Sequence, residues 1–544
     1  MQEPARSNRV GGRCEQGHVS ITTPSPPVTG PPRLPSRRAL AACGLLAVGA
    51  ALAFGQLAAA LAAPGSAPFV AVADTVIRLS PSWLTEFGKS LGPVLDKLLL
   101  QVGVGVAVVV AAAAAGAASR RSARPGLLVI GVLGAAGLLA VAFAPAFAPR
   151  DLLAPIVAAL AGVSAFAWLH RLASSAAREP GPVPAPARRR LLIGGSVGIG
   201  IASLAAGAGG IVLAGGGVGA SRRSVDDQLA RTRPAQRAPA IPAGAAFPES
   251  GTPSFLTSNA DFYRIDVALR IPSLAAADWR LRVHGLVQRE LTLSYADLLA
   301  RPLVERTITM TCVSNPVGGD LVSTANFLGV ELRDLLLQAG VRPGADQLFS
   351  TSVDGWSTGT PTDVVLEPDR GALLAIGMNG EALPPEHGFP VRMVVPGLYG
   401  YVSATKWITD IELTTFDAQQ GYWLQRGWAQ RAPIKTQSRI DFPRGFATVP
   451  AGRLTVAGIA WAQHTGVGAV EVRMDGGPWQ RAELGTEVNR DTWRMWRTTF
   501  DVGPGSHTVQ TRSADARGVV QTETRADPIP DGASGWPATI FTAA

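Results

Sequence analysis

Residues 307–320 read TITMTCVSNPVGGD. An alternating, strand-like run ends at Cys312, and a loop of Val, Ser, Asn, Pro and two glycines follows. Cys312 is the only cysteine in the second half of the chain. Cys14 and Cys43 lie far upstream, and three cysteines make no disulfide framework. Two readings are open. A lone cysteine is commonly a small buried apolar residue. A thiolate where the chain leaves a sheet, ahead of a rigid polar loop, is also a soft ligand for a transition metal. One cysteine cannot hold zinc alone and no His/Cys cluster lies near, so such a metal would bring most of its own ligands.

The elements that must position this residue divide a chain of 544 residues into two halves of opposite character. Residues 1–38, rich in Pro, Ser, Gly and Arg, are expected as a disordered tail. Five apolar stretches follow, at about 39–63, 98–118, 126–147, 151–170 and 191–217, each near the roughly 20 residues a bilayer crossing needs. They make residues 39–220 a membrane domain of about five transmembrane helices. Residues 1–240 carry 23 Lys and Arg against 9 Asp and Glu, the remainder 26 against 31. The formal net charge of +9 therefore belongs to topology signals between apolar runs, and no nucleic-acid partner is expected.

The basic clusters are Arg33, Arg37 and Arg38, then Arg120, Arg121 and Arg124, then Arg171, Arg178 and Arg188 to Arg190. With five crossings they all fall on one side, the cytoplasm. Residues 221–544 then lie outside the cell membrane. The paired arginines of ARRRLLIGG (Ala187–Gly195) read as plain anchoring or as an internal twin-arginine export signal, and the two are compatible. Among the helices only His170 is available, with no facing histidine, so no haem is expected. With no other ionisable residue mid-helix, neither an ion pathway nor a transporter is indicated.

Residues 221–250, polar and rich in Pro and Ala, are expected as a linker. Residues 251–435 mix strands (Trp279–Gly285, Thr307–Cys312, Phe349–Asp354, Leu373–Gly380, Phe389–Gly397) with helices (Ser294–Arg301, Val330–Gly340). Residues 436–544 change to alternating strands spaced by Gly, Asp and Pro turns, the pattern of a small antiparallel β-sandwich. The fold class is multidomain: all-α transmembrane helices, an α+β domain, then an all-β immunoglobulin-like sandwich.

From about residue 255 onward the chain resembles the sulfite oxidase family of molybdopterin-dependent oxidoreductases. The resemblance is carried by FYRID (Phe262–Asp266), TMTCVSN (Thr309–Asn315), the run Leu373–Trp407 and RAPIKTQSRID (Arg431–Asp441). It continues in VEVRMDGGPW (Val470–Trp479), WRMW (Trp493–Trp496) and GASGW (Gly532–Trp536). It implies a molybdopterin whose molybdenum is bound by the cofactor's own sulfurs and by Cys312. It also implies a pterin and phosphate grip at Phe262, Tyr263, Arg264, Asp266, Asp354, His387, Arg392, Ala404, Thr405 and Lys406. The chemistry suits that role. Arg392 and Lys406 are fixed cations for a phosphate, and His387 and Asp354 can meet a pterin edge. The last domain resembles the family's dimerisation domain, which makes a homodimer plausible.

Three departures bear on substrate. Asp266 stands where the family's sulfite oxidases have histidine, Val317 where they have arginine, and Trp428, with Tyr422 close by, where they have the active-site tyrosine. Sulfite is a dianion and its pocket needs cationic donors. The expected reaction is thus a two-electron oxygen-atom transfer on a small, less charged sulfur- or nitrogen-oxide substrate, steered by Arg264 beside Cys312. A true sulfite dehydrogenase is one alternative. A non-catalytic, membrane-tethered binding or adhesion protein on a decayed cofactor domain is another. The chain shows no haem-attachment or iron–sulfur motif, so electrons would pass to a separate carrier, a cytochrome or a quinone.

Overall fold

The computed structural model describes residues 34–62, 64–81, 95–144, 147–177, 185–268 and 270–544. The expected tail lies outside these except for its last residues, of which Arg37 and Arg38 already belong to the first helix. Among the described residues, five helices are long and apolar enough to cross a membrane: Arg37–Ala62, Leu98–Ala118, Arg124–Ala142, Pro149–Ala177 and Arg190–Leu229. A short helix, Pro68–Leu79, lies between the first two.

Small residues set the helix contacts. A Cβ at Gly44 would stand 2.2 Å from Ala112 O, and one at Gly116 2.2 Å from Leu40 O. Glycine pairs of this kind let helices touch in lipid, where no hydrophobic effect draws them together. Arg120 Nε donates to Pro35 O at 3.1 Å, and His170 Nε2 donates to Ser119 O at 2.8 Å. The basic ends of the first, second and fourth helices thus meet at one end of the bundle, and His170 serves to cap a neighbouring helix end.

The fifth helix departs from expectation. It runs unbroken from Ala185 to Leu229, about 68 Å at 1.5 Å per residue and more than twice the roughly 30 Å hydrocarbon core. Residues 221–229, expected as linker, are therefore helix, and Val225 and Leu229 are buried in the core of the next domain. Arg222 donates to Glu381 Oε2 at 2.8 Å and to Ala382 O at 2.9 Å, while Asp226 Oδ1 accepts from Ala382 N at 2.6 Å. The rest of the expected linker is fastened as well: Ala235 N donates to Leu303 O and Glu305 N to Gln236 O, both at 2.8 Å.

The middle domain holds two sheets. One has the order β2-β1-β10-β5-β6, from β1 (Arg280–Gly285), β2 (Leu291–Ser294), β5 (Gln347–Ser352), β6 (Ser357–Pro361) and β10 (Ile408–Thr414). Its β1–β10 pair is parallel. The other has the order β3-β4-β7-β8, from β3 (Val304–Thr311), β4 (Val322–Glu331), β7 (Leu373–Met378) and β8 (Glu381–Ala382), with β9 (Arg392–Val394) also on β7. Ser294 caps the helix Tyr295–Leu299, and Gly340 ends the helix Leu332–Ala339 with φ of +71°.

The last domain also has two sheets. The first, β11-β13-β17-β16, uses β11 (Gln437–Phe442), β13 (Gly452–Trp461), β16 (Glu483–Leu484) and β17 (Arg494–Val502). The second, β12-β19-β18-β14-β15, uses β12 (Thr448–Val449), β14 (Val467–Met474), β15 (Gln480–Arg481), β18 (Gly505–Asp515) and β19 (Ala538–Ala543). They share a core that includes Val456, Val470, Trp496, Val509 and Phe541. The β12–β19 pair is parallel, so the domain is not antiparallel throughout. Its near end packs on β3. Trp493 N donates to Thr309 Oγ1 at 2.7 Å, Thr309 N to Asp491 O at 2.9 Å, and Gln463 Nε2 to Thr311 Oγ1 at 3.1 Å.

Candidate cofactor cradle around Cys312

Cys312 follows the last residue of β3 and is buried. Its N–H donates to Leu321 O at 3.0 Å, and Leu321 N donates to Asn315 Oδ1 at 3.0 Å, which closes the loop 312–321 on itself. The sulfur lies 2.9 Å from Ser314 Oγ. Burial raises the thiol's pKa, against the opposing pull of Ser314 and of the Lys406 charge. Val317 rides half-buried on the same loop.

The basic residues come from elsewhere. Arg392 opens β9 and is buried, with Nη1 donating to His387 O at 3.1 Å. Burial lowers its pKa to about 10, and among the described residues no carboxylate forms a salt bridge with it. Lys406 is nearly buried, 3.3 Å from Asp266 Oδ2; burial brings it down to about 8, with Asp266 resisting. Arg264 donates to the same carboxylate oxygen at 2.8 Å, so Asp266 joins the two cations. Burial pushes the Tyr263 phenol far above its ordinary range; the Cys312 charge adds to this and the Arg392 charge opposes it. Phe262 stacks on Tyr263 at 5.4 Å and meets the His387 ring edge-on at 5.4 Å.

His387 Nε2 donates to Asn259 O at 3.0 Å. A carbonyl can only accept, so Nε2 carries the proton and Nδ1 is an acceptor. Burial, with Arg392 and Lys406 adding, lowers His387 to about 3, so it is neutral near pH 7. Thr405 Oγ1 is 2.7 Å from Ser350 Oγ, and Ala404 is buried beside it. Val353 N donates to Trp407 O at 3.0 Å, which ties the Asp354 turn to the 404–407 turn, and Asp354 Oδ1 accepts from Trp356 N.

Arg392 Nε, His387 Nδ1 and Asn315 Nδ2 are buried without a hydrogen-bond partner. Such atoms are rare in folded proteins unless a ligand supplies the partner. Two donors without acceptors, one acceptor without a donor, and an unpaired buried guanidinium suit a heterocycle with N–H groups and a phosphate. The donor set fits a molybdopterin, and the buried Cys312 thiol is of the type that would serve a soft metal.

Of the residues expected at the substrate pocket, Tyr422 and Trp428 both pack on Trp423, with ring centroids 4.9 Å and 6.1 Å away, while Val317 lies on the Cys312 loop. Trp428 is buried 5.7 Å from the Tyr401 ring, beside the Gly400–Ser403 turn. That turn touches β3: a Cβ at Gly400 would stand 3.6 Å from Tyr263 Oη and 3.8 Å from Thr311 O. Tyr422 is half-buried, against Trp423 and under the Arg426 guanidinium at 3.6 Å. Residues that sequence reasoning did not single out are Asn259 and Ser314. Ser314 was within the quoted loop, but pattern alone does not tell a wall from a contact.

Residues 268–423 match the oxidoreductase molybdopterin binding domain family. The chain is 33% identical to the sulfite oxidase of Gallus gallus over 299 residues, 46% of this chain and 64% of that protein. It thus spans just under two thirds of that relative's length. It is 37% identical to the uncharacterized oxidoreductase YuiH of Bacillus subtilis over 153 residues, 28% of this chain and 73% of that protein. Among solved structures, the sulfane dehydrogenase SoxCD of Paracoccus pantotrophus aligns with a TM-score of 0.47 at 20% identity, over 56% of this chain and 88% of that one.

Proposed function

This chain belongs to the sulfite oxidase family of molybdopterin-dependent oxidoreductases, and from that premise we propose a membrane-anchored enzyme of two-electron oxygen-atom transfer. Its substrate is a small oxide of sulfur or nitrogen, and its cradle lies outside the cytoplasmic membrane. When bound, the molybdopterin supplies the metal that exchanges the oxygen atom and the two electrons. The chain's residues do the rest. Arg392 and Lys406 would hold the phosphate and His387 would meet the pterin edge. Asp266 holds Arg264 and Lys406 in place, and Cys312 would be the chain's ligand to the metal. Arg264, 41% exposed at its side chain, can turn toward substrate.

The observation that carries this reading is the buried guanidinium of Arg392 without a carboxylate, beside a neutral His387. A buried cation costs several kcal/mol unless an anion meets it, on the order of the penalties for unpaired charges. A bound phosphate supplies that anion. Sidedness rests on the basic ends gathered at one end of the bundle, opposite the end at which the fifth helix enters the catalytic domain.

Reduction of a sulfoxide consumes two electrons and two protons and releases sulfide and water. Oxidation of sulfite takes its oxygen from water and releases two electrons and two protons. A separate cytochrome or quinone carries the electrons in either case. Metal and pterin analysis of the purified chain tests the cofactor, with about one molybdenum per chain expected. Steady-state assays with sulfoxides, N-oxides and sulfite test the substrate. Rapid sulfite oxidation would replace this reading by a sulfite dehydrogenase.

A further inference from the structure

The carbonyl that fixes the proton on His387 belongs to a turn with its own anchors. His387 Nε2 donates to Asn259 O at 3.0 Å. Asn259 lies in the turn that carries Phe262, whose N–H donates to Ser258 O at 2.9 Å and whose ring meets the His387 ring edge-on. The Asn259 side chain holds this turn down. Its Nδ2 donates to Glu381 Oε1 and, at 3.2 Å, to Met378 O, and its Oδ1 accepts from Asn379 Nδ2 at 2.9 Å. Asn379 sits at φ of +52°, and its own Oδ1 accepts from Asn326 N at 2.9 Å, which ties the turn to β4. The other carboxylate oxygen of Glu381 accepts from Arg222 Nη2 at 2.8 Å. Arg222 belongs to the fifth helix, and it holds a second branch as well. Its Nε donates to Leu383 O at 3.2 Å and its Nη2 to Ala382 O at 2.9 Å. These carbonyls lie just ahead of the turn Pro385–His387, in which His387 N donates to Pro384 O at 2.9 Å. One guanidinium thus supports both the turn that accepts from His387 and the segment that bears it.

We infer that Arg222 is a positioning residue for the cofactor: the outer end of the fifth helix, through Glu381 and Asn259, sets the orientation of His387, so the helix is a member of the cradle as well as a tether. An imidazole offers one nitrogen to a ligand only while the other keeps its hydrogen-bond partner. The site suits an arginine, whose planar fork reaches a carboxylate and two carbonyls at once; a lysine's single ammonium does not. This rests on the proposed place of His387 at the pterin edge, and it deepens that reading by naming what holds the ring there.

The rate of pterin release from the full-length, molybdopterin-loaded chain in detergent, followed by fluorescence of the released pterin, is the readout. Arg222→Met releases the pterin about fivefold faster, the scale of one partly exposed ion pair with its carbonyl hydrogen bonds. His387→Gln also speeds release, and the double variant is no faster than His387→Gln alone, because both changes remove the same contact to the cofactor. Arg497→Met, which breaks the comparably exposed Arg497–Glu483 pair of the last domain, leaves release unmoved. An arginine with a merely structural role would give effects that add in the double variant, and that result overturns the inference. So does wild-type release from the folded Arg222→Met chain while His387→Gln is fast. Should the melting midpoint show that Arg222→Met has not kept its fold, Arg222→Lys takes its place, with a smaller rise in release rate expected. Wild-type release from His387→Gln removes the reading beneath, the place of His387 at the pterin edge, and the inference with it.

Discussion

The backbone N–H of Trp493 donates to Thr309 Oγ1 at 2.7 Å, and both residues are buried. Through this bond the C-terminal domain holds β3, the strand that leads into Cys312. Thr309 Oγ1 also meets Thr324 Oγ1 on the neighbouring strand, so one hydroxyl joins three elements.

Thr309→Val keeps the shape and removes the hydroxyl. A buried N–H is then left without an acceptor, at a cost of about 1–3 kcal/mol. The melting midpoint should fall, and molybdenum retention should fall with it because the Cys312 strand loses its brace. A variant with wild-type stability would show that the domain contact is idle.

Arg392→Met should act with opposite signs on two forms. The cofactor-free chain gains stability, since a buried cation without a carboxylate is removed. The loaded chain loses its phosphate grip, about 1.5–3 kcal/mol for charge-assisted bonds, or about ten- to a hundredfold in pterin retention. Melting of both forms, with pterin fluorescence after release, checks the two arms.

His387 sets a pH dependence. Its folded pKa is about 3, against an ordinary 6.5. Between those values the unfolded chain binds the proton and the folded chain does not, so stability is lost as pH falls from 6.5 toward 3 and is untouched above 6.5. Melting midpoints taken from about pH 7.5 to about pH 4 should fall more steeply in the wild type than in His387→Gln. Parallel curves would contradict the buried neutral imidazole.

Sidedness is open to direct labelling. Cysteine introduced by Ser506→Cys, at the exposed start of β18 in the C-terminal domain, should react in whole cells with a maleimide that cannot cross membranes. Arg121→Cys, between the second and third spans, should react only after lysis. The reverse pattern would invert the topology.

Much of this architecture is legible in the sequence because it follows from periodicity. The apolar runs mark the spans, and alternation marks β1, β3 and most strands of the last domain. β4 was not expected because VSTANFLGVE is buried on both faces and does not alternate. The linker was misread at 221–229 because SRRSVDDQL is polar, whereas its helix is held by Val225, Leu229 and the Arg222 and Asp226 contacts to β8. The cradle was legible only as a set. Arg392, His387 and Lys406 each pass for surface residues, and only the fold shows them buried together. Arg222 and Glu381 lie far apart in the chain and meet only in space.

The molybdenum X-ray absorption spectrum of the purified full-length chain, wild type against Cys312→Ser, tests the central claim most directly. The expected result is a wild-type shell with one more sulfur scatterer than the variant, and loss of turnover in the variant. An identical sulfur shell in the two proteins, or a chain that carries no molybdenum, would contradict it.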